Sequence, residues 1–266
     1  MPADVGLDDP EQSVERISAF VRSSMARADA DGVVVNMSGG LDSTVVAALA
    51  AEALGPDRVY GLTLPSNKTG AVHARDAEGL AEALGIEHET IHLQPALSGF
   101  SGCMPDRFDL HDDPVSTGNL VARLRMATAY LAANVTGGIV LGTTNRSERL
   151  LGYVTKHGDG AADVLPIGHL YKTQVRELAR ALEVPEFVIE KPPTAGFLPG
   201  QYDRDDLGAP YDVVDPVLRL AIDGGIETPV VADRLGVDES LVQRLLARHD
   251  RTRHKRSLPP TPTEDR

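Results

Sequence analysis

The feature that most constrains this chain is a repeated switch in hydrophobic period. Short apolar runs alternate with longer stretches whose apolar residues recur at i, i+3, i+4 and i+7. That is the pattern of successive βαβ units on a parallel sheet. Residues 32–37 (GVVVNM) read as the first strand, and a small-residue helix over 42–54 stops at Gly55 and Pro56. Residues 58–64 supply a second strand. The next helix carries Ala77, Leu80, Ala81 and Leu84 on one stripe and ends at Gly85, and 87–93 form a third strand. Residues 94–117, with Gly, Pro and four Asp, read as an irregular loop. A helix over 118–135 places Leu120, Leu124, Ala127 and Leu131 on its main stripe, and 138–142 (GIVLG) give a fourth strand. A glycine- and polar-rich segment over 143–169 precedes a helix at 172–182. Residues 191–210, crowded with Pro and Gly, read as a loop. The remainder is expected to be helical to about Arg248, followed by a loose tail at 257–266. The expected fold is a doubly wound α/β domain on a parallel sheet, one domain over 1–266 with its core at roughly 12–260, binding its ligand at the carboxyl ends of the strands.

Composition narrows the function. At 266 residues and 42% hydrophobic, the chain can bury one substantial core. Its 39 acidic and 26 basic residues leave a net charge of −13, whose field repels nucleic acid and requires any phosphate ligand to be held by a local cluster. The acid-rich, Lys-poor balance resembles that of proteins adapted to high salt. Residues 230–246 imitate a helix-turn-helix, but Asp238 and Glu239 on the second helix suit packing better than base reading. Cys103 has no disulfide or CxxC partner, and no His pair has metal-ligand spacing. No apolar run reaches the roughly 18 residues of a membrane span, and 1–10 lack the features of a signal peptide, so a cytoplasmic protein is expected.

The chemistry concentrates at Ser38, Gly39, Gly40, Leu41, Asp42 and Ser43, between the first strand and its helix. Backbone N–H groups at such a helix start face whatever occupies the strand end, and two glycines admit a phosphate closely. The ending of a Walker A loop is absent.

This SGGLDS turn resembles the pyrophosphate loop of the N-type ATP pyrophosphatases, which have an adenine-nucleotide alpha-hydrolase-like fold. Asn36 stands where many members carry Gly. Further blocks resemble the ammonia-dependent NAD synthetase family: GNLVARLRM from Gly118, LGTTNRSE from Leu141, GYVTKHGDGAAD from Gly152, LPIGHLYK from Leu165 and KPPTAG from Lys191. Three of the five lysines, Lys156, Lys172 and Lys191, fall in these blocks, and a fourth, Lys255, lies in a C-terminal HKR that also resembles the family, although the chain otherwise uses Arg. A compact ammonium suits phosphate oxygens that shift during reaction.

The resemblance implies Mg2+ held by Asp42 and Glu148. It implies ATP contacts from Asn36, Met37, Ser38, Gly39, Gly40, Leu41, Asp42, Ser43, Thr143, Lys172 and Thr194, with Asp42, Lys172 and Thr194 catalytic. Arg123, Lys156, Asp163, His254 and Lys255 would bind deamido-NAD, with Asp159 a further acidic contact. The implied reaction adenylates the nicotinate carboxylate with ATP and aminates it with ammonia. No glutaminase domain or nucleophilic Cys triad is recognised, so ammonia is expected free or from a separate partner. The resemblance also implies a homodimer with shared substrate sites, in which Arg123 and Lys156 reach the dinucleotide bound mainly to the other chain. Val121, Met126 and Tyr130 offer the second helix face such an interface needs. Rival readings are another N-type enzyme, such as a tRNA-modifying synthetase, and a nucleotide sensor without turnover.

Overall fold

Four parallel strands set the frame. In a computed structural model that describes residues 5–66, 68–110, 113–194 and 200–262, β1 (Val33–Asn36), β2 (Val59–Thr63), β3 (Glu87–Thr90) and β4 (Ile139–Leu141) lie in the order β3-β2-β1-β4. Val33 is in register with Val59 on one side and Ile139 on the other. Side chains alternate across the pleat, so Val33 and Val35 enter one core while Val34 enters another. A strand covered on both faces must be apolar throughout, which is why β1 reads VVV.

On one face Val33, Val35 and Val59 pack with α1 (Pro10–Arg27), α2 (Leu41–Leu54), α3 (Lys68–Leu84) and α7 (Lys172–Ala181). The other face, with Val34, Leu62 and Val140, is covered by α4 (Gln94–Cys103) and α5 (Pro114–Thr136). This is the doubly wound arrangement expected. A further apolar cluster joins α6 (Arg146–Leu151) to α9 (Asp203–Leu207), α10 (Tyr211–Leu218), α11 (Thr228–Leu235) and α12 (Glu239–Arg251). The short α8 (Glu186–Ile189) follows α7. Among the described residues no helix is long and apolar enough to cross a membrane.

Several expectations need correction. Residues 94–117 are largely helical rather than irregular, because Pro95 and Pro114 sit in first turns, where the missing N–H costs nothing, and Asp113 caps Val115 N–H at 2.9 Å. The face of α5 is only partly as expected, since Leu120 and Leu124 pack against the core but are not its deepest positions. Gly118, Val121, Ala122, Ala129 and Ala133 are buried, whereas Leu131 is 62% and Val135 77% exposed. Small residues let the helix sit close on the sheet, and Leu131 and Val135 near its end lie outside that contact. The expected 191–210 loop contains α9. The C-terminal helices are interrupted: Pro216 lies inside α10, which runs into a π-type turn at Arg219–Asp223. Of the tail, Leu258 is exposed, and 263–266 lie outside the described residues.

Helix α6 is only six residues long and is fastened at both ends. Asn145 and Glu148 form a reciprocal capping box at its start. At its end Gly152 is left-handed, with φ of 57°, and a Cβ there would lie 2.3 Å from Thr252 Cβ on the turn after α12. Gly152→Ala therefore combines left-handed strain of roughly 1–2 kcal/mol with overpacking of roughly 1–3 kcal/mol. Urea denaturation should show a loss of about 2–5 kcal/mol. A loss below about 1 kcal/mol would mean that α6 and the Thr252 turn are not in tight contact.

Candidate active site

The site grows from the carboxyl end of β1. Met37 N–H donates to Leu62 O at 2.7 Å, holding the chain to β2 as it leaves the sheet. Gly39 turns it with φ of +70°, and a Cβ there would lie 2.7 Å from the carbonyl of His73 in α3, so only glycine fits. The hydroxyl of Ser43 accepts Ser38 N–H at 3.1 Å and donates to Gly40 O at 3.1 Å, closing the turn on itself. Lys191 clamps it from outside, donating to Gly39 O at 3.0 Å and pairing with Asp76 at 2.8 Å. Gly40, at the N-cap of α2, brings no side chain to the first N–H groups of that helix. A closed, rigid turn with open N–H donors is an anion cradle.

Beside it three charged side chains from three helices meet. Asp42, in the first turn of α2, ion-pairs with Lys172 at the start of α7, and its other oxygen accepts Asn145 Nδ2 at 3.1 Å. The Lys172 ammonium is also 3.7 Å from Glu148 in α6. Asn145 holds Glu148 through the capping box, with Glu148 N–H donating at 3.0 Å and the carboxylate accepting Asn145 N–H at 3.2 Å. Asn145 thus contacts both carboxylates, Asp42 through its side-chain amide and Glu148 through its backbone N–H. Lys172 is 4% exposed. Burial alone would lower its pKa, but Asp42 and then Glu148 outweigh burial and hold it above the ordinary lysine value. Burial, followed by the charge of Asp42, pushes Glu148 well above the usual carboxylate range.

Asp203, from α9, adds to the charge imbalance. Its carboxylate accepts Tyr211 OH at 2.9 Å and Tyr153 OH at 3.2 Å, and burial raises its pKa while Lys172 opposes the shift. Two carboxylates share one monovalent cation here and a third stands nearby, so the centre is short of positive charge. A hard divalent cation fits that donor set. Among the described residues no three His, Cys, Asp or Glu side chains converge as a complete metal cage. Mg2+ does not need one, because it commonly takes one or two carboxylates and completes its shell with phosphate and water.

Thr143 lies just past the end of β4, two residues before Asn145. Thr194 is exposed beyond Pro193, and Ala195 and Gly196 of the same motif lie outside the described residues. Arg123 on α5 donates to the carbonyl of Lys156 at 3.3 Å, so those two are neighbours. Asp163 accepts Val140 N–H at 2.8 Å and Tyr130 OH at 3.3 Å, and Asp159 accepts Thr155 N–H at 2.9 Å. His254 is exposed, while Lys255 donates to Gly152 O at 2.8 Å and Val154 O at 2.7 Å. None of the described hydrogen bonds or ion pairs joins Arg123, Lys156, Asp163, His254 or Lys255 to the Asp42–Glu148–Lys172 centre.

Asn145 and Asp203 were not singled out from sequence. For Asn145 the signal was available, since Asn three residues before Glu is a capping-box spacing. Asp203 is one of 39 acids in a segment read as loop, and nothing local marks it.

The NAD synthase family profile matches residues 13–259. An NH(3)-dependent NAD(+) synthetase from Methanosarcina mazei is 45% identical over 255 residues, covering 96% of this chain and 98% of that protein. Among solved structures, an NMN synthetase from Francisella tularensis superposes with a TM-score of 0.84 at 36% identity, covering 96% of this chain and 99% of the other. An NH3-dependent NAD synthetase from Campylobacter jejuni, in complex with nitrate, gives 0.80 at 29% identity, covering 97% and 100%. With the profile spanning all but the termini and the archaeal relative matching almost end to end, this chain belongs to the NAD synthase family.

Proposed function

We propose that this chain uses ATP and ammonia to convert the nicotinate carboxylate of deamido-NAD into the amide of NAD, releasing AMP and pyrophosphate. The observation that carries this reading is the Asp42–Lys172–Glu148 centre set beside the open N-terminus of α2. Full-length likeness to the M. mazei NH(3)-dependent NAD(+) synthetase supports the choice of substrate and nitrogen donor. Residues 12–260 are read as one working domain.

The turn at Ser38–Gly40 and the first N–H groups of α2 face the pyrophosphate that leaves as a carboxylate oxygen attacks the α-phosphorus. Asp42 and Glu148 would hold Mg2+, which supplies Lewis-acid stabilisation of the phosphate charge. Lys172, already carrying a proton between two carboxylates, offers a fixed ammonium to the α-phosphate as charge grows there. Thr143 and Thr194 add hydroxyl donors to ATP. Ammonia then attacks the acyl carbon, the acyl–oxygen bond to AMP breaks, and the excess proton goes to solvent. Arg123, Lys156, Asp163, His254 and Lys255 would hold the dinucleotide.

The same reading includes a homodimer with shared sites. Support comes from the outward ridge of α5, where Leu131 and Val135 are exposed on the helix that also carries Arg123. An apolar ridge of this kind suits a twofold partner.

Incubation with ATP, Mg2+, ammonium and deamido-NAD, with high salt in one arm, should yield NAD, AMP and pyrophosphate. ADP and phosphate as products would overturn the proposal. Because the Francisella fold-mate is an NMN synthetase, nicotinate mononucleotide is offered in a competing arm, where the dinucleotide should be preferred. Asp42→Asn and Glu148→Gln should each lower turnover by at least about a hundredfold while circular dichroism stays unchanged. Near-normal turnover at saturating Mg2+ would remove the metal assignment.

Sedimentation should give twice the 28.4 kDa of one chain, and Leu131→Asp with Val135→Asp should shift the protein to monomer. Inactive Asp42→Ala mixed with inactive Arg123→Ala, after subunit exchange, should recover about a quarter of wild-type activity, since half the dimers are hybrids with one intact site. No recovery despite hybrid formation would place Arg123 in its own subunit's site.

A further inference from the structure

Asp215 is the most deeply buried carboxylate next to the centre, and none of the roles above uses it. It lies in α10 at 0% exposure, and no described Lys, Arg or His pairs with it. Its partners are three donors. Ser147 OH donates to one oxygen at 2.6 Å, while Thr173 N–H at 2.9 Å and Thr173 OH at 3.0 Å donate to the other. The same Ser147 oxygen accepts Lys172 N–H at 2.9 Å.

These four bonds join two helices at their working ends. Ser147 immediately precedes Glu148 in α6, and Lys172 and Thr173 open α7. The N-cap of α7 is Tyr171, whose side chain does not cap the first N–H groups. A helix start normally obtains that acceptor from its own N-cap. Here a third helix supplies it, and the capping carboxylate accepts the backbone N–H of Thr173, next to Lys172, and the hydroxyl of Ser147, the neighbour of Glu148. Tyr211, one turn earlier in α10, presents its ring 5.7 Å from Lys172 Nζ and its hydroxyl to Asp203. One face of α10 therefore supports the centre from behind.

We propose that Asp215 is a positioning residue that fixes Lys172 and Glu148 relative to each other, through Thr173 and Ser147, in the geometry the adenylation step needs. It rests on the reading of Lys172 and Glu148 given above. A carboxylate suits the task because two oxygens can accept three donors, and the positive end of the α7 dipole favours its charge. Asparagine has one acceptor oxygen and would turn an NH2 toward a donor, loosening one of the two links while conserving volume.

The test is steady-state kinetics on Asp215→Asn, with folding followed by circular dichroism at the assay temperature. Wild type is assayed first for NAD, AMP and pyrophosphate from ATP, Mg2+, ammonium and deamido-NAD. Misplacing a reacting group by about 1 Å is worth on the order of a hundredfold in rate. Asp215→Asn should therefore lower kcat by about ten- to a hundredfold while KM for deamido-NAD stays within about threefold. Ser147→Ala, which cuts only the link to Lys172 N–H and Asp215, should show the same split at smaller size and carries the test if Asp215→Asn does not fold. A folded variant with kcat within about threefold of wild type would overturn the proposal, as would a loss confined to KM or to the thermal midpoint. If wild type makes no NAD, the functional reading itself fails.

Discussion

The buried ammonium of Lys172 is the interaction on which the rest of the centre depends. Asp42 belongs to α2 on one face of the sheet, Glu148 to the short α6 after β4, and Lys172 to α7. Without the lysine, two half-buried carboxylates would face each other in a region of low dielectric, and one would have to take up a proton. Breaking a buried pair by removing one partner costs about 3–5 kcal/mol for that reason. The pair is thus weak as a source of net stability but strong as a statement of geometry, since all three helices must arrive in register for it to form. The same geometry leaves the centre short of positive charge, which prepares it for a divalent ion and a polyphosphate together.

Helix α6 shows how a fold can hold a reactive carboxylate on an element too short to be stable alone. Six residues close few internal hydrogen bonds, so the terminal groups decide its fate. Asn145 closes the first turn. At the other end the basic residues of the C-terminal segment take up the carbonyls: Arg256 donates to Arg149 O at 3.2 Å and Leu150 O at 2.8 Å, Arg248 to Leu151 O at 3.2 Å, and Lys255 to Gly152 O at 2.8 Å. Cations at a helix C-terminus also oppose its dipole. Lys255, which the resemblance implies as a substrate contact, and Arg256 beside it also support the far end of the helix that carries Glu148.

The strands and the SGGLDS turn were legible in sequence because each has a local signature, whereas Asp42, Glu148 and Lys172 were named together only through the family resemblance, and their mutual contact was not foreseen. An apolar run marks a doubly buried strand, two glycines mark a turn that no side chain can enter, and scarce lysines mark positions where Arg is not equivalent. What was not legible depends on contacts between distant segments. The inward face of α5 was half legible: hydrophobic size suggests Leu120, Leu124, Ala127 and Leu131, of which Leu120 and Leu124 do pack on the core, whereas close packing on the sheet buries Ala129 and Ala133 most deeply. Residues 94–117 were misread because proline was taken as a breaker when Pro95 and Pro114 occupy first turns. Asp203 and Asp215 acquire their roles only when α9 and α10 fold back on the centre, and no spacing along the chain announces that.

Three of the motif lysines share a geometric reason for not being arginine. Each ammonium sits where two acceptors converge: Asp42 and Glu148 around Lys172, Gly39 O and Asp76 around Lys191, and Gly152 O and Val154 O of one turn around Lys255. A tetrahedral point charge on a narrow stem can serve converging acceptors from inside a small corner, whereas a planar guanidinium spreads its donors along its edge. Arg248 and Arg256 support this contrast, since both lie across the broader carbonyl surface at the end of α6. In a chain of net charge −13 built otherwise on arginine, lysine persists at these corners because they are small. Lys191 and Lys255 also brace the phosphate cradle and the end of α6, while Lys172 lies between the two carboxylates of the centre itself.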